Sequence, residues 1–179
     1  MHSLKNRFSA ICFFTLICMA CLSLFNWGTA VIQRKPIDAD FSLNKMSKFG
    51  VHPYLNEDFA QFKFNLQSDL TGVFDWNTYD LFAFLTVEYE SNDGRKTEVT
   101  VWDDIILRKN TKQHKIDYKN MQVEYLLSDK NKELRGKTVQ VYFNVDHMPV
   151  VGFTQKQRVH VGNFTLPEEY LASYSAKRY

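Results

Sequence analysis

The chain has 179 residues, of which 45% are hydrophobic and 23% are charged. This length allows one ordinary domain plus a targeting or anchoring segment, and it excludes two domains with separate cores. With 15 Phe, 9 Tyr and 3 Trp, the chain can build a compact core, which excludes a disordered protein. The net charge of +2 equals the charge of Lys5 and Arg7, and the rest of the chain balances 20 basic against 20 acidic residues. We therefore expect no nucleic-acid-binding surface, which would need a basic excess on one face.

The first predicted element is an apolar segment, residues 8–32, that carries no charged residue. About 20 apolar residues span a bilayer, so this segment predicts one transmembrane signal-anchor helix that contacts membrane lipid. A long domain after such an anchor is translocated largely regardless of its charge. We therefore expect residues 1–7 in the cytosol and residues 33–179 in a lumenal domain.

A cleavable signal peptide is the alternative interpretation of the same segment, because Gly28 and Ala30 form a small-x-small pair. The apolar run before this pair is longer than the roughly 7 to 15 residues of a signal peptide, and Trp27 is typical of an interfacial anchor. Both features favour the anchor. All three cysteines, Cys12, Cys18 and Cys21, lie in this segment, so the body has no disulfide framework.

After the anchor, apolar and polar residues alternate as in half-buried strands. Residues 38–49 predict an early strand rather than a flexible tether. The clearest alternation places Ala60, Phe62, Phe64 and Leu66 on one face. It returns at Leu85, Val87 and Tyr89, at Val99 and Val101, at Val123 and Tyr125, at Val139, Val141 and Phe143, and at Val159 and Val161.

Turn signals separate several of these strands. Asn92-Asp93-Gly94 predicts a hairpin, because Asn and Gly tolerate the positive φ angles of tight turns. Residues 128–137, rich in Asp, Lys, Asn and Gly, predict an exposed loop. The predicted fold class is mainly β: a single N-terminal transmembrane helix followed by an antiparallel β-sandwich.

The side chains that could carry chemistry do not form a recognisable site. The histidines, at positions 2, 52, 114, 147 and 160, have no metal-ligand spacing. Asp103-Asp104 and Glu168-Glu169 are adjacent carboxylates, and neighbours on a strand point to opposite faces. There is no Gly-x-Ser-x-Gly motif and no Gly-rich phosphate loop. We therefore expect no catalytic residue, no cofactor and no metal.

Asn163-Phe164-Thr165 is a glycosylation sequon, and glycosylation of Asn163 would agree with a lumenal body. A second notable stretch is the turn at residues 72–77. Asp75 or Asn77 would cap the turn or bond nearby backbone N–H groups, while Phe74 and Trp76 would close one end of the sandwich. A ligand site at this turn is the alternative interpretation.

Two motifs resemble a known family: residues 73–77, VFDWN, with the strand that follows them, and residues 99–107, VTVWDDIIL. This pattern is similar to the subunit 3 family of the signal peptidase complex, the accessory glycoproteins of the endoplasmic reticulum enzyme that removes signal peptides. The likeness covers nearly the whole chain, including the short basic N-terminus, the anchor and the Tyr-rich tail.

The resemblance implies a non-catalytic subunit whose lumenal domain supports a separate catalytic subunit, which brings its own serine and histidine. Partners would then be the catalytic and other subunits of the complex. Phe74, Asp75, Trp76, Asn77 and Trp102 become candidates that shape this scaffold, by contact with the partner or with the core. Two other hypotheses remain: an independent membrane-tethered β-sandwich that binds a ligand through its loops, and a lumenal hydrolase that uses its carboxylates.

Overall fold

The computed structural model describes residues 3–33 and 35–171; the remainder, which includes most of the Tyr-rich tail, lies outside the described residues. The first element is helix α1, Leu4–Ile32, whose Ser3 side chain accepts a hydrogen bond from the backbone N–H of Asn6. It begins four residues before the predicted segment. Its apolar side chains are exposed along most of its length, and it is long and apolar enough to cross a membrane. Its 29 residues extend about 43 Å, more than the hydrocarbon thickness of roughly 30 Å.

The body consists of extended strands with one short helical turn. The strands are β1 (Ala39–Val51), β2 (Asp58–Asp69), β3 (Thr78–Glu90), β4 (Lys96–Leu107), β5 (Lys115–Gln122), β6 (Leu127–Asp129), β7 (Thr138–Pro149) and β8 (Gln155–Thr165). A 3-10 turn, Thr71–Val73, lies between β2 and β3. The early strand predicted for residues 38–49 is confirmed by β1.

Two antiparallel sheets pack face to face. Sheet A has the order β1-β2-β5, with β6 also paired to β2, and sheet B has the order β4-β3-β7-β8. The pairings described within each sheet are all antiparallel. The predicted mainly β fold, with one N-terminal apolar helix and an antiparallel sandwich, is confirmed.

The core lies between the sheets and is built from the alternating residues. Phe62, Phe64 and Leu66 of β2 are fully buried, as the alternation predicts. They face buried residues of sheet B such as Val87 and Phe143. Since alternate strand residues point to one face, each sheet contributes one apolar face to this core.

The prediction of a strand at Val123 and Tyr125 is wrong. β5 ends at Gln122, and the chain then crosses from one sheet to the other. The N–H of Val123 donates to the carbonyl of Phe62 in sheet A, while the N–H of Tyr125 donates to the carbonyl of Val101 in sheet B. Two apolar residues separated by one polar residue look like a strand in the sequence. Here they belong to a segment that crosses from one sheet to the other.

The exposed loop predicted at residues 128–137 is partly wrong. Its first residues belong to β6, and Leu134 is fully buried. The predicted hairpin is present between β3 and β4, with Gly94 at φ +79°. Glu168-Glu169 lie after the end of β8, so the strand argument does not apply to them.

Candidate functional site at the helix-proximal end

The end of the sandwich that adjoins α1 is the candidate site, and we call it the helix-proximal end. Here β1, β3, β5 and β8 begin and β2, β4 and β7 end. The segment after α1 is bonded to β8 through one side chain, Gln157. Its amide donates to the carbonyl of Lys35 at 3.1 Å and accepts from the N–H of Ile37 at 3.1 Å. The chain that leaves the helix is therefore fixed on the body.

Asp75 closes the turn that leads into β3. Its Oδ1 accepts hydrogen bonds from the N–H of Asn77 at 2.9 Å and from the hydroxyl of Thr78 at 2.8 Å. Short acceptor side chains favour such local bonds to the following residues. The guanidinium of Arg108, directly after β4, donates to the carbonyls of Asp75 and Thr78 at 2.9 and 2.5 Å. The turn is thus held by bonds from Asp75, which belongs to it, and by bonds from Arg108, which follows β4.

Asn77 is buried and holds the loop between β7 and β8, residues 150–154, which we call the β7–β8 loop. Its side chain accepts from the N–H of Val151 at 3.0 Å and donates to the carbonyl of Val151 at 2.8 Å. Its backbone carbonyl also accepts from the N–H of Val150 at 2.6 Å. A side-chain amide has both a donor and an acceptor, so it can replace a strand partner for one residue.

The other aromatic candidates lie in different environments. Phe74 stacks on the ring of buried His114, with centroids 4.1 Å apart. Trp76, at the end of the sandwich, is 50% exposed. Trp102 is buried and meets the ring of Tyr118 edge-on at 5.6 Å. The structure thus brings residues 74–77 together on one turn, while Trp102 lies in the core about 16 Å along β4 from its end.

Sequence reasoning missed the β7–β8 loop itself. Val150 and Phe153 are exposed, and the loop contacts α1. The rings of Phe153 and Trp27 meet edge-on with centroids 6.0 Å apart. The signal available in the sequence was a glycine between apolar residues in a segment without any charge.

The carboxylate pair on β4 has structural partners. Asp104 accepts a hydrogen bond from the hydroxyl of Tyr118 at 3.0 Å. Burial, with a further contribution from this bond, raises the pKa of Tyr118 to about 12. The hydrogen bond to Asp103 similarly raises the pKa of Tyr125. In the described residues, no group of three or more His, Cys, Asp or Glu side chains could hold a metal ion.

Asn163 lies at the opposite end of the sandwich. It is exposed on the edge strand β8 and pairs with Gln140 of β7. The hydroxyl of Thr165, the third residue of the sequon, lies 3.0 Å from the hydroxyl of Thr138. Asn163 is therefore accessible to solvent at the end of the body far from the helix-proximal end.

Comparisons with known proteins give a consistent result. The family model described as "Signal peptidase subunit" matches residues 1–169. "Signal peptidase complex subunit 3" of Drosophila melanogaster is 30% identical over 97% of this chain and 99% of its own length. The proteins of the same name from Dictyostelium discoideum and Homo sapiens are 27% and 26% identical, over 96% and 81% of this chain and 98% and 83% of their own lengths.

Proposed function

Because the chain belongs to the family of signal peptidase subunits, we propose that it is a non-catalytic accessory subunit of the endoplasmic reticulum signal peptidase complex. In this role it supports the catalytic serine-protease subunit as that subunit cleaves signal peptides from nascent secretory and membrane proteins. The observation that carries the proposal is the family match over residues 1–169. The relatives' shared name, which places them in a signal peptidase complex, supports it.

The proposed topology is single-pass type II in the endoplasmic reticulum membrane. Residues 1–7 lie in the cytosol, residues 8–32 cross the bilayer, and residues 33–179 form the lumenal domain. The long exposed apolar helix α1 supports this arrangement. We also propose that Asn163 carries a glycan, which its exposure on an edge strand far from α1 favours.

The physical role of the body is to present a rigid surface beside the membrane. Gln157 fixes the segment after α1 to β8, and Asn77 fixes the β7–β8 loop to the turn. A partner that binds this body is therefore held at a defined height and angle relative to the bilayer. Such positioning matters for acyl transfer, because small displacements of reacting groups reduce the rate strongly.

The test is purification of the complex through a tag on the catalytic subunit, in mild detergent. We expect this chain in constant ratio to the catalytic subunit, while a single-pass protein of the same microsomes that is unrelated to the complex is washed away. We also expect signal-peptide cleavage by the complex and none by this chain alone. Recovery of the chain as a stable monomer in the unbound fraction would instead favour the independent binding module.

Topology and glycan use are tested together in sealed microsomes, with a tag at the C-terminus. Protease should leave the tagged body intact until detergent opens the vesicles. Endoglycosidase should increase the mobility of the natural chain and leave Asn163→Gln unchanged. Digestion of the tag in sealed vesicles would reject the lumenal body, and equal mobility of the two chains before digestion would reject the glycan.

A further inference from the structure

The β7–β8 loop has features of a lipid-binding element. We propose that Val150 and Phe153 insert into the interfacial region of the bilayer next to α1, so that the loop docks the body on the membrane at a fixed depth. This inference requires α1 to cross the bilayer. It does not depend on which complex the chain joins.

The position of the loop along α1 is the first observation. Gly152 and Phe153 line a cleft together with Ala20, Leu24 and Trp27 of the helix. Trp27 precedes the end of α1 at Ile32 by about 7.5 Å of helix. The loop therefore lies beside the apolar part of the helix, at a level that bilayer lipid would occupy.

Gly152 allows the β7–β8 loop to approach Trp27 of α1 closely. It has φ +105°, and a Cβ atom built on it would lie 2.7 Å from Cγ of Trp27. A side chain at this position would have to displace the Trp27 side chain or separate the helix from the loop. Glycine suits this position for two reasons: it readily adopts a positive φ angle, and without a Cβ it lets the backbone lie against an aromatic ring.

The exposed apolar surface of the loop is the third observation. Phe153 is 76% exposed and Val150 62% exposed, and residues 149–154 carry no charge. Removing apolar surface from water is favourable by about 25 cal/mol per Å². This surface is continuous with the exposed apolar side of α1, where Leu24 and Phe25 also have most of their surface uncovered. The medium that covers α1 thus also covers the loop, and for a membrane-spanning helix that medium is lipid.

Exposed aromatic residues near the loop, and bonds that order its backbone, also favour insertion into the interface. Two exposed aromatic residues, Trp76 and Tyr79, lie at the same end of the body, and Trp and Tyr are enriched at membrane–water interfaces. The bonds from Asn77 hold the loop backbone in place before it meets lipid. A loop that is already ordered loses less conformational entropy on insertion.

The test uses the full chain, alone, in phosphatidylcholine vesicles. Because the cysteines lie in α1 and the body has none, Cys12, Cys18 and Cys21 are replaced by Ala. Single cysteines are then introduced as Thr154→Cys, which keeps Phe153, and as Leu55→Cys. Leu55 is an exposed residue between β1 and β2 at the opposite end and serves as the matched control. Each cysteine carries a polarity-sensitive fluorophore.

We expect blue-shifted emission at position 154, quenching by a spin label near the lipid headgroup, and loss of quenching by aqueous iodide. The fluorophore at position 55 should show the reverse. Equal iodide quenching at both positions would overturn the proposal. Shielding of position 154 from both iodide and the lipid quencher would also overturn it, because protein rather than lipid would then cover the loop.

A second variant separates insertion from folding. In the Thr154→Cys chain, Phe153→Glu places a charge where the apolar side chain would enter lipid, and exposed Phe153 contributes little to the core. We expect unchanged thermal unfolding, with a gain of iodide quenching and a loss of lipid quenching. Retained lipid quenching would overturn the role of Phe153. Since the chain is studied alone, failure to co-purify with the catalytic subunit would leave this result unaffected.

Discussion

Asn77 joins two segments that lie 74 residues apart in the chain. Replacement by Ala removes both side-chain bonds to Val151 and leaves the N–H and the carbonyl of Val151 without these partners. Loss of such partners at a buried position costs about 1–3 kcal/mol of unfolding free energy. We expect Asn77→Ala to lower the unfolding temperature of the full chain in detergent by several degrees, measured by circular dichroism.

Asn44→Ala is the matched control for this prediction. The amide of Asn44 also makes a hydrogen bond, to Asn120 at 3.0 Å, but it does so in solvent. Exposed substitutions of this kind change stability by less than about 0.5 kcal/mol. Similar unfolding temperatures for Asn77→Ala and Asn44→Ala would contradict the idea that the buried amide holds the loop.

The two tryptophans of the candidate set should behave differently. Trp102 fills the space between the sheets, so Trp102→Ala should cost about 3–5 kcal/mol. Trp76 is half exposed, so Trp76→Ala should cost far less. Denaturant unfolding of both variants measures this difference. Equal losses would contradict the assignment of Trp102 to the core and of Trp76 to the surface.

At the level of the elements, alternation in the sequence predicts the strands whose two faces differ. β2 is the clearest case, because every second residue from Ala60 to Leu66 is fully buried while those between stay partly exposed. The same signal fails at Val123 and Tyr125, since a crossover between sheets can bury one apolar residue without a strand. It also fails at Leu134, whose burial comes from a single side chain with no period around it.

The helix-proximal site could be predicted only in part, for a related reason. Asp75 and Asn77 stand out as turn residues, and their residue types indicate bonds to backbone. The partner of Asn77 lies in the β7–β8 loop, and sequence periodicity does not reveal which loop meets which turn. That pairing depends on β3 and β7 being neighbours in sheet B, which follows from the tertiary fold.

Tyr118 of β5 and Asp104 of β4 tie the two sheets together, and this tie depends on pH. Burial first, and then the bond to Asp104, raises the pKa of Tyr118 from 10.0 to about 12. The folded state thus favours the neutral phenol. The contribution of Tyr118 to the free energy of unfolding is fully present below pH 10. It is lost as the pH rises through about 12, because the phenol of the unfolded chain releases its proton at a lower pH than the phenol of the folded chain.

We therefore expect the natural chain to lose more unfolding free energy between pH 10 and about 12 than Tyr118→Phe does. Urea unfolding at a series of pH values measures the two slopes. Part of the slope should remain in the variant, because burial and Asp129 also raise the pKa of Tyr89. Identical slopes for the natural chain and Tyr118→Phe would contradict the contribution of this residue.

At the scale of the whole molecule, the contacts between α1 and the β-sandwich body decide how the body is oriented relative to the helix. We call this orientation the relation between helix and body. Among the described residues, the contacts that set it include Gln157 with the segment after α1, Phe153 with Trp27, and Gly152 with the same ring. Ala30 of α1 is also buried. A body held in this way keeps its helix-proximal end toward the bilayer, whereas a flexible tether would allow it to turn.

This relation predicts the effect of a flexible insertion. About ten Gly and Ser residues inserted between Ile32 and Gln33 span roughly 17 Å on average, which separates the helix from the body without touching the bonds of Gln157. We expect unchanged thermal unfolding, loss of lipid quenching at position 154, and slower signal-peptide cleavage by the complex that contains the variant. The same insertion after Asp93, in the hairpin at the opposite end, controls for added length and should leave all three measurements unchanged. If the insertion after Ile32 preserved lipid quenching and cleavage, the loop would find the membrane without the tether, and the rigid connection would have no part in positioning the body.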